Sequence, residues 1–137
     1  MSLVKNILTS WQALPLWVQV WVGLILVPVN AAAFFLLDTV TGQYTAVAAV
    51  FVVITNGPLM LLYQGMNRAL SLPHLVAWVP LVYLLVAHLG SGEVSRGEWF
   101  YALLVIIVNG ISLVFDVLDS WRWLRGERET PGLDSSA

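Results

Sequence analysis

The chain has 137 residues, of which 59% are hydrophobic and 10% charged, whereas a soluble domain has about 45–50% and about 25%. This composition is typical of a membrane protein with one compact unit of four or five spans, not of a two-domain chain. A formal net charge of −2 argues against a nucleic-acid partner, and the lack of cysteine excludes disulfides and thiolate ligands.

A short amphipathic helix is predicted ahead of the first span, over residues 1–14. Leu3, Ile7 and Trp11 recur at helical spacing, whereas Lys5 lies away from them. Such a helix lies in the membrane interface, and Pro15 ends it. The alternative is a secretory signal peptide, because three consecutive alanines resemble a cleavage site. The apolar run continues past these alanines, which favours an uncleaved span.

Four long apolar runs predict four transmembrane helices. About 20 helical residues cross a hydrocarbon core of about 30 Å, and short polar connections make neighbouring helices antiparallel. The predicted fold class is therefore an all-α membrane protein, a four-helix antiparallel bundle preceded by the interfacial helix. The transmembrane domain covers 15–124, and a flexible polar cytoplasmic tail covers 125–137. The predicted spans are residues 16–37, 44–63, 72–89 and 99–119.

The basic residues lie almost entirely on one side of the predicted bundle. Arg96 is alone on the other side, so the positive-inside rule places the richer side in the cytoplasm. We therefore predict a multi-pass protein of the inner (plasma) membrane with both termini cytoplasmic. The residues on the cytoplasmic side are Lys5, Arg68, Arg122, Arg125 and Arg128.

Each predicted span has a face of polar or small residues. At about 100° per residue, the polar residues of the fourth span from Asn109 to Asp119 fall within an arc of about 80°. One interpretation is that these groups hydrogen-bond the helices together and satisfy carbonyls freed by proline. The other is a polar passage with broken helices around a midplane site. The predicted intramembrane face consists of Asn30, Asn56, Asn109, Ser112 and Asp116.

Asp116 lies about one helical turn deeper than Asp119, where an unpaired carboxylate is costly, so it needs a cation, a hydrogen-bond donor or a proton. Arg68 and Arg122 are candidate partners for these two acids, and Arg125 is a third. One hypothesis is a structural ion pair that holds the fourth helix against the preceding cytoplasmic loop. The alternative is an entrance that collects cations or relays protons, with Asp116 as the titrating group.

The histidines do not favour a metal site. His74 and His88 lie about 20 Å apart along the third helix by its rise per residue, so they cannot share a metal within one chain. We predict no metal site and no cofactor. The sequence also has no phosphate-binding loop, nucleophile elbow or paired intramembrane acids suited to hydrolysis, which favours a protein that is not an enzyme.

Two functions are compatible with these features. The first is an oligomeric small transporter or channel that uses the polar intramembrane face. The second is a non-catalytic accessory or scaffold subunit, whose polar faces bind a larger membrane complex. The expected partners are the lipid bilayer and either further copies of this chain or a larger membrane protein.

Overall fold

The computed structural model describes residues 2–133, and every regular element within them is helical. Four of these helices are long and apolar enough to cross a membrane, which confirms that part of the predicted fold class. A 3₁₀ turn, Arg68–Leu70, leads into the third of them. In chain order the helices are α1 Leu3–Gln12, α2 Leu16–Phe35, α3 Val40–Tyr63, α4 Ser71–Leu89 and α5 Arg96–Leu124.

Two helices begin earlier than the apolar runs because polar residues cap them. The Thr39 side chain accepts a hydrogen bond from the Gly42 backbone N–H at 2.9 Å, which starts α3 at Val40. The Ser95 side chain accepts from the backbone N–H of Glu98 at 3.3 Å, which starts α5 at Arg96. Such caps satisfy donors that have no partner inside the helix, so the helices extend into polar sequence.

The helix α2 is irregular on both sides of Pro28. Its segment Trp21–Leu26 is π-helical, Val27–Ala31 is α-helical, and Ala32–Phe35 is a 3₁₀ turn. Proline lacks an N–H, so regular hydrogen bonding is interrupted one turn before it. Single π-turns inside helices often occur at functional sites. This helix also carries Asn30 and Trp21, whose side chains form hydrogen bonds with α5.

The buried core lies between α2, α4 and α5, with α3 along one side. Leu85 and Val105 are fully buried, and Leu81 is 2% exposed. Leu26 and Ala48 complete the contacts from α2 and α3. The outer surfaces of the four long helices carry many exposed large apolar side chains. Apolar exposure of this extent is typical of membrane proteins and rare in soluble monomers.

The polar side of α1 contacts the loop between α3 and α4. The Ser10 hydroxyl is buried and accepts a hydrogen bond from the Met66 backbone N–H at 2.8 Å. The Asn6 side chain donates to the Gln64 side chain. The apolar residues Leu3, Val4 and Leu8 are exposed on the helix surface. The helix is therefore held by polar contacts and leaves apolar side chains free.

Two glycines permit close approaches between segments. A Cβ on Gly65 would lie 2.5 Å from the Cβ of Ser10, so α1 could not pack as closely against a larger residue. A Cβ on Gly42 would lie 1.9 Å from the carbonyl oxygen of Leu36, in the turn that joins α2 to α3. Both distances are far below van der Waals contact, which explains glycine at these positions.

Part of the predicted flexible tail packs against the bundle. The Asn67 side chain donates to the Arg128 carbonyl at 2.8 Å and to the Thr130 hydroxyl at 3.2 Å. Thr130 is 5% exposed and donates to the Tyr63 carbonyl at 3.1 Å. The segment after α5 therefore lies across the end of α3 and the loop that follows it. Residues 134–137 of the predicted tail lie outside the described part of the chain.

Candidate functional site

The polar face of α5 meets a succession of partners along the helix. Asn109 and Ser112 contact α2. Asp116 contacts α4, and Asp119 contacts the 3₁₀ turn before α4. Because these residues recur every three or four positions, they share one side of the helix. That side faces the interior formed by the other elements.

Asn30 and Asn109 form a reciprocal amide pair between α2 and α5. The Asn30 Nδ2 donates to Asn109 Oδ1 at 2.8 Å, and the Asn109 Nδ2 donates to Asn30 Oδ1 at 2.9 Å. The Asn30 Nδ2 also donates to the Leu26 carbonyl at 2.9 Å. Both asparagines are buried, and Asn109 is 0% exposed. Each amide thus satisfies the other, and together they join the two helices.

Aromatic residues of α2 contact α5 one turn further along. The Trp21 Nε1 donates to the Ser112 hydroxyl at 2.8 Å. The rings of Trp17 and Phe115 are tilted against each other, with centroids 5.4 Å apart. These indole and phenyl rings therefore lie beside the turn of α5 that carries Ser112 and Asp116.

His74 lies at the junction of α3, α4 and α5. Its Nδ1 is 3.2 Å from Asp116 Oδ1, and its Nε2 is 2.9 Å from Asn56 Nδ2. The imidazole also stacks on the Trp78 indole, with centroids 4.2 Å apart and an angle of 15°. Because an amide nitrogen only donates, His74 Nε2 accepts, and Nδ1 carries the proton that it donates to Asp116. The arrangement matches a neutral imidazole held between two side chains.

Two buried acceptor atoms on either side of His74 lack donors. Within residues 2–133, neither Asp116 Oδ2 nor Asn56 Oδ1 has a hydrogen-bond partner. The Asp116 side chain is 10% exposed. A buried polar atom without a partner costs about 1–3 kcal/mol, and more when the group is charged. These atoms are therefore positions where a bound group would gain interactions.

Asp119 is paired with an arginine at the end of the bundle. The Arg68 Nε is 3.6 Å from Asp119 Oδ1, and its Nη1 is 3.5 Å from Glu129 Oε2. These side chains are between 30% and 62% exposed, so solvent weakens both pairs. Arg68 is thus compensated by two carboxylates, and neither of them is Asp116.

Among the groups described above, His74, Ser112 and Asp116 line one cavity of about 510 Å³ together with Arg68 and Asp119. Its lining includes the connection after α1, the loop before α4 and the final turns of α5. Arg68 and Asp119, whose side chains are 30% and 40% exposed, mark its mouth. Its walls include the aromatic side chains of α2 and α5 and also Leu26, whose carbonyl accepts a hydrogen bond from Asn30. Arg122 lines the cavity beside Asp119. The polar members of the lining include Asn67, Arg68, Ser71, His74, Ser112, Asp116, Asp119 and Arg122.

Comparison with known proteins gives no assignment for this chain. No protein-family model, no curated protein and no solved structure matches it. The function is therefore inferred from the cavity and the side chains that line it.

The structure divides the predicted polar face into two groups. Asn30 and Asn109 contact each other, whereas Ser112 and Asp116 line the cavity. Asn56 does not join the asparagine pair but contacts His74. Among the arginines considered as partners, Arg68 pairs with Asp119, and the hydrogen-bond partner of Asp116 is His74. The second group forms the candidate site.

The pairing of His74 with Asp116 was not predicted, although the sequence contains a signal for it. His74 is the third residue of the predicted third span, and Asp116 is the fourth from the end of the fourth span. Helices joined by a short loop place such residues at a similar depth. The contact is therefore indicated by comparing the depths of polar residues in neighbouring spans, in addition to the faces that they share within one span. His88 lies near the other end of α4, where its Nε2 is 3.1 Å from Glu98 Oε2.

Proposed function

We propose that this protein is a small membrane transporter that binds an organic cation in the cavity beside Asp116. The observation that carries the proposal is the burial of this carboxylate together with its incomplete hydrogen bonding. It is nine-tenths buried, it lines the cavity, and one of its oxygens has no hydrogen-bond partner within residues 2–133. A buried carboxylate is stable only with a positive charge, a set of donors or a proton. A cation in the cavity would supply the charge.

The other charged groups leave Asp116 available for a ligand. Arg68 is held between Asp119 and Glu129 at the mouth. The donor on Asp116 is the His74 imidazole, in a geometry that matches its neutral form. Arg122 lines the cavity beside Asp119. With His74 neutral, the charge next to it is that of the Asp116 carboxylate, which favours a positively charged ligand.

The walls favour an organic cation over a bare metal ion. Trp17, Trp21 and Phe115 line the cavity together with aliphatic side chains. Aromatic faces attract cations, and an apolar cation gains further stability from contact with the rings. The volume of about 510 Å³ falls in the range of about 300–1,000 Å³ typical of small-molecule sites. Metal ions prefer several oxygen or nitrogen ligands at short distances.

Two features support transport over simple binding. Along α2 and α5 the residues that line the cavity lie on one side of the Asn30–Asn109 pair, and about one turn beyond the pair on the other side Ala33 and Val105 are fully buried. A transporter exposes its site to one side of the membrane at a time. The helix α2, which lines the cavity, is interrupted by a π-turn and Pro28. Such interruptions allow a helix to bend.

We further propose that four helices cross the inner membrane in antiparallel order with both termini cytoplasmic, so that the cavity opens to the cytoplasm. The chain has no cysteine, which makes single-cysteine labelling straightforward. In intact cells, an impermeant maleimide is expected to label Ser91→Cys, in the loop between α4 and α5. It should label Glu127→Cys only after the membrane is permeabilised. Labelling of Glu127→Cys in intact cells would overturn this orientation.

The binding step is tested with benzyltrimethylammonium, which has an aromatic body and a permanent charge. Isothermal titration of the purified full chain in lipid nanodiscs is expected to show saturable binding. Asp116→Asn preserves the size of the side chain but removes its charge, so we expect the affinity to fall at least tenfold, or about 1.4 kcal/mol.

Two controls separate charge from shape in this titration. The neutral isostere neopentylbenzene, in which carbon replaces nitrogen, should bind at least tenfold more weakly than the cation. Glu93→Gln removes an exposed acid from the loop between α4 and α5 and should leave the affinity unchanged. Equal binding of the cation to wild type and Asp116→Asn would rule out the proposed site.

The mutual hydrogen bonding of Asn30 and Asn109 favours a second candidate function, which depends on this pair and not on the cavity. Because these amides satisfy each other, they hold helices together and need no ligand. A scaffold or accessory subunit of a larger membrane complex, or a homo-oligomer, requires only such packing. This alternative gains support if the wild-type chain binds neither cation nor neutral isostere.

A further inference from the structure

We infer that the organic cation binds in exchange for one proton, and that His74 carries this proton. The inference rests on the proposed cation site at Asp116. Its basis is that His74 and the cation would neutralise the same carboxylate. His74 Nδ1 lies 3.2 Å from Asp116 Oδ1, while Asp116 Oδ2 has no hydrogen-bond partner within residues 2–133.

The exchange conserves charge at the site. In the protonated form of the site, His74 is an imidazolium, and its Nδ1–H donates to Asp116 Oδ1; the hydrogen bonds of the structure are those of the neutral form. When the cation approaches the Asp116 carboxylate, that group gains a second positive neighbour, and the two positive charges repel each other. His74 then loses one proton to water in the cavity that the ring lines, and the neutral ring keeps its Nδ1 proton toward Asp116 and accepts from Asn56 Nδ2 at Nε2. One cation enters, one proton leaves, and Asp116 remains a carboxylate.

Asn56 is placed to accommodate both forms of His74. In the structure its Nδ2 donates to His74 Nε2, which suits the neutral ring. The imidazolium instead has a proton on Nε2 and needs an acceptor. A rotation of the Asn56 amide by half a turn would present Oδ1, which lacks a partner in the described residues. The orphaned acceptor thus lies on the side chain that an imidazolium would require.

The stacking of His74 on Trp78 also favours a charged form of the ring. The two rings are nearly parallel, with centroids 4.2 Å apart. The face of an indole attracts a cation and is the strongest aromatic partner for one. This contact lowers the cost of holding an imidazolium inside the helix bundle.

Few other ionisable groups face this position. The helices α2 and α3 contain no charged residue, and the only ionisable groups of α4 besides Tyr83 are its two histidines. From α5, Asp116 faces His74 directly. Arg68, Asp119 and Arg122 line the same cavity nearer its mouth. The arginines oppose a positive charge on His74, and Asp119 favours it. The direct contact with Asp116 therefore determines whether the imidazolium form is stabilised.

The number of protons released is measured by isothermal titration of benzyltrimethylammonium into the full chain in nanodiscs. Titrations in buffers of different ionisation enthalpy give this number from the slope of the measured enthalpy. The quaternary ammonium has no proton of its own to exchange. We expect release of up to one proton per cation. The dissociation constant should also rise by up to about tenfold per pH unit as the pH falls.

Two variants assign the proton to His74. His74→Gln should bind the cation without proton release and with little dependence on pH. His88→Gln is the matched control, because His88 also contacts a carboxylate but lies at the other end of α4, and it should release protons as the wild type does. Asn56→Leu removes the acceptor for Nε2–H and should lower the number of protons released at each pH.

The outcomes separate the two proposals. Binding by the wild type without proton release would overturn the exchange but leave the cation site intact. Proton release that persists in His74→Gln would also overturn it, because another group would then be the source. Absence of any binding to the wild type would instead overturn the proposed function, and the exchange with it. If His74→Gln does not fold, unchanged proton release in Asn56→Leu would count against the exchange.

Discussion

Replacing Asn109 by leucine is expected to lower the free energy of unfolding by about 1–3 kcal/mol. The substitution removes both hydrogen bonds between the amides and leaves Asn30 Oδ1 without its donor inside the protein. Hydrogen bonds between helices in membrane proteins contribute about 0.6 kcal/mol on average, because the separated helices also find partners. We expect the loss for Asn109→Leu to exceed this average, because Asn109 is fully buried and an unpaired acceptor remains on Asn30.

The double variant Asn30→Leu/Asn109→Leu should recover part of this loss. It replaces both polar groups by apolar ones, so no acceptor is left unpaired, and such replacements are often nearly neutral. The four proteins form a double-mutant cycle, and we expect a coupling energy of about 1 kcal/mol or more between the two residues.

The cycle is measured by titrating the protein in detergent with sodium dodecyl sulphate and following circular dichroism. Thr55→Val is the matched control, because within residues 2–133 the Thr55 hydroxyl bonds only to carbonyls of its own helix, at 2.8 Å and 3.2 Å. This control should change stability little. A neutral effect of Asn109→Leu alone, or a double variant as unstable as the sum of the single variants, would contradict the structural role of the pair.

The helices could be predicted from the sequence because their length and hydrophobicity are local properties. The four apolar runs became four long helices. The caps Thr39 and Ser95 extend two of them at their starts, α5 continues to Leu124 beyond the predicted end at 119, and α2 ends at Phe35, before the predicted end at 37. The π-turn in α2 was not predicted. Pro28 indicates that regular hydrogen bonding is interrupted, but not which pattern of bonds replaces it.

The site could be predicted only in part. The sequence indicates the importance of Asp116 because a carboxylate is costly inside an apolar helix, and that argument needs one helix only. Its partner depends on the rotation and depth of neighbouring helices, which a single sequence does not define. By its spacing from His88, the sequence gives His74 no partner for a metal site. It offers arginines as the simplest partners for Asp116, because their charge is opposite. The contact of the tail with Asn67 could not be foreseen, because polar tail residues carry no periodic pattern.

Asp116→Asn is expected to abolish cation transport while leaving the fold intact. The amide has almost the same shape as the carboxylate and can still accept from His74 Nδ1, whose distance to Asp116 is 3.2 Å. It cannot attract a positive charge into the cavity. We therefore expect uptake to fall at least tenfold, with elution volume and helical content unchanged. The fall exceeds that expected for any change at the mouth, where solvent screens the charges.

The direct test is the uptake of radiolabelled benzyltrimethylammonium into proteoliposomes that contain only this chain. A pH gradient with an acidic interior supplies protons for exchange. Saturable accumulation by the wild type, retained in Glu93→Gln and lost in Asp116→Asn, is the predicted result. Uptake no faster than in protein-free liposomes, although the protein is folded and inserted, would contradict a transport function.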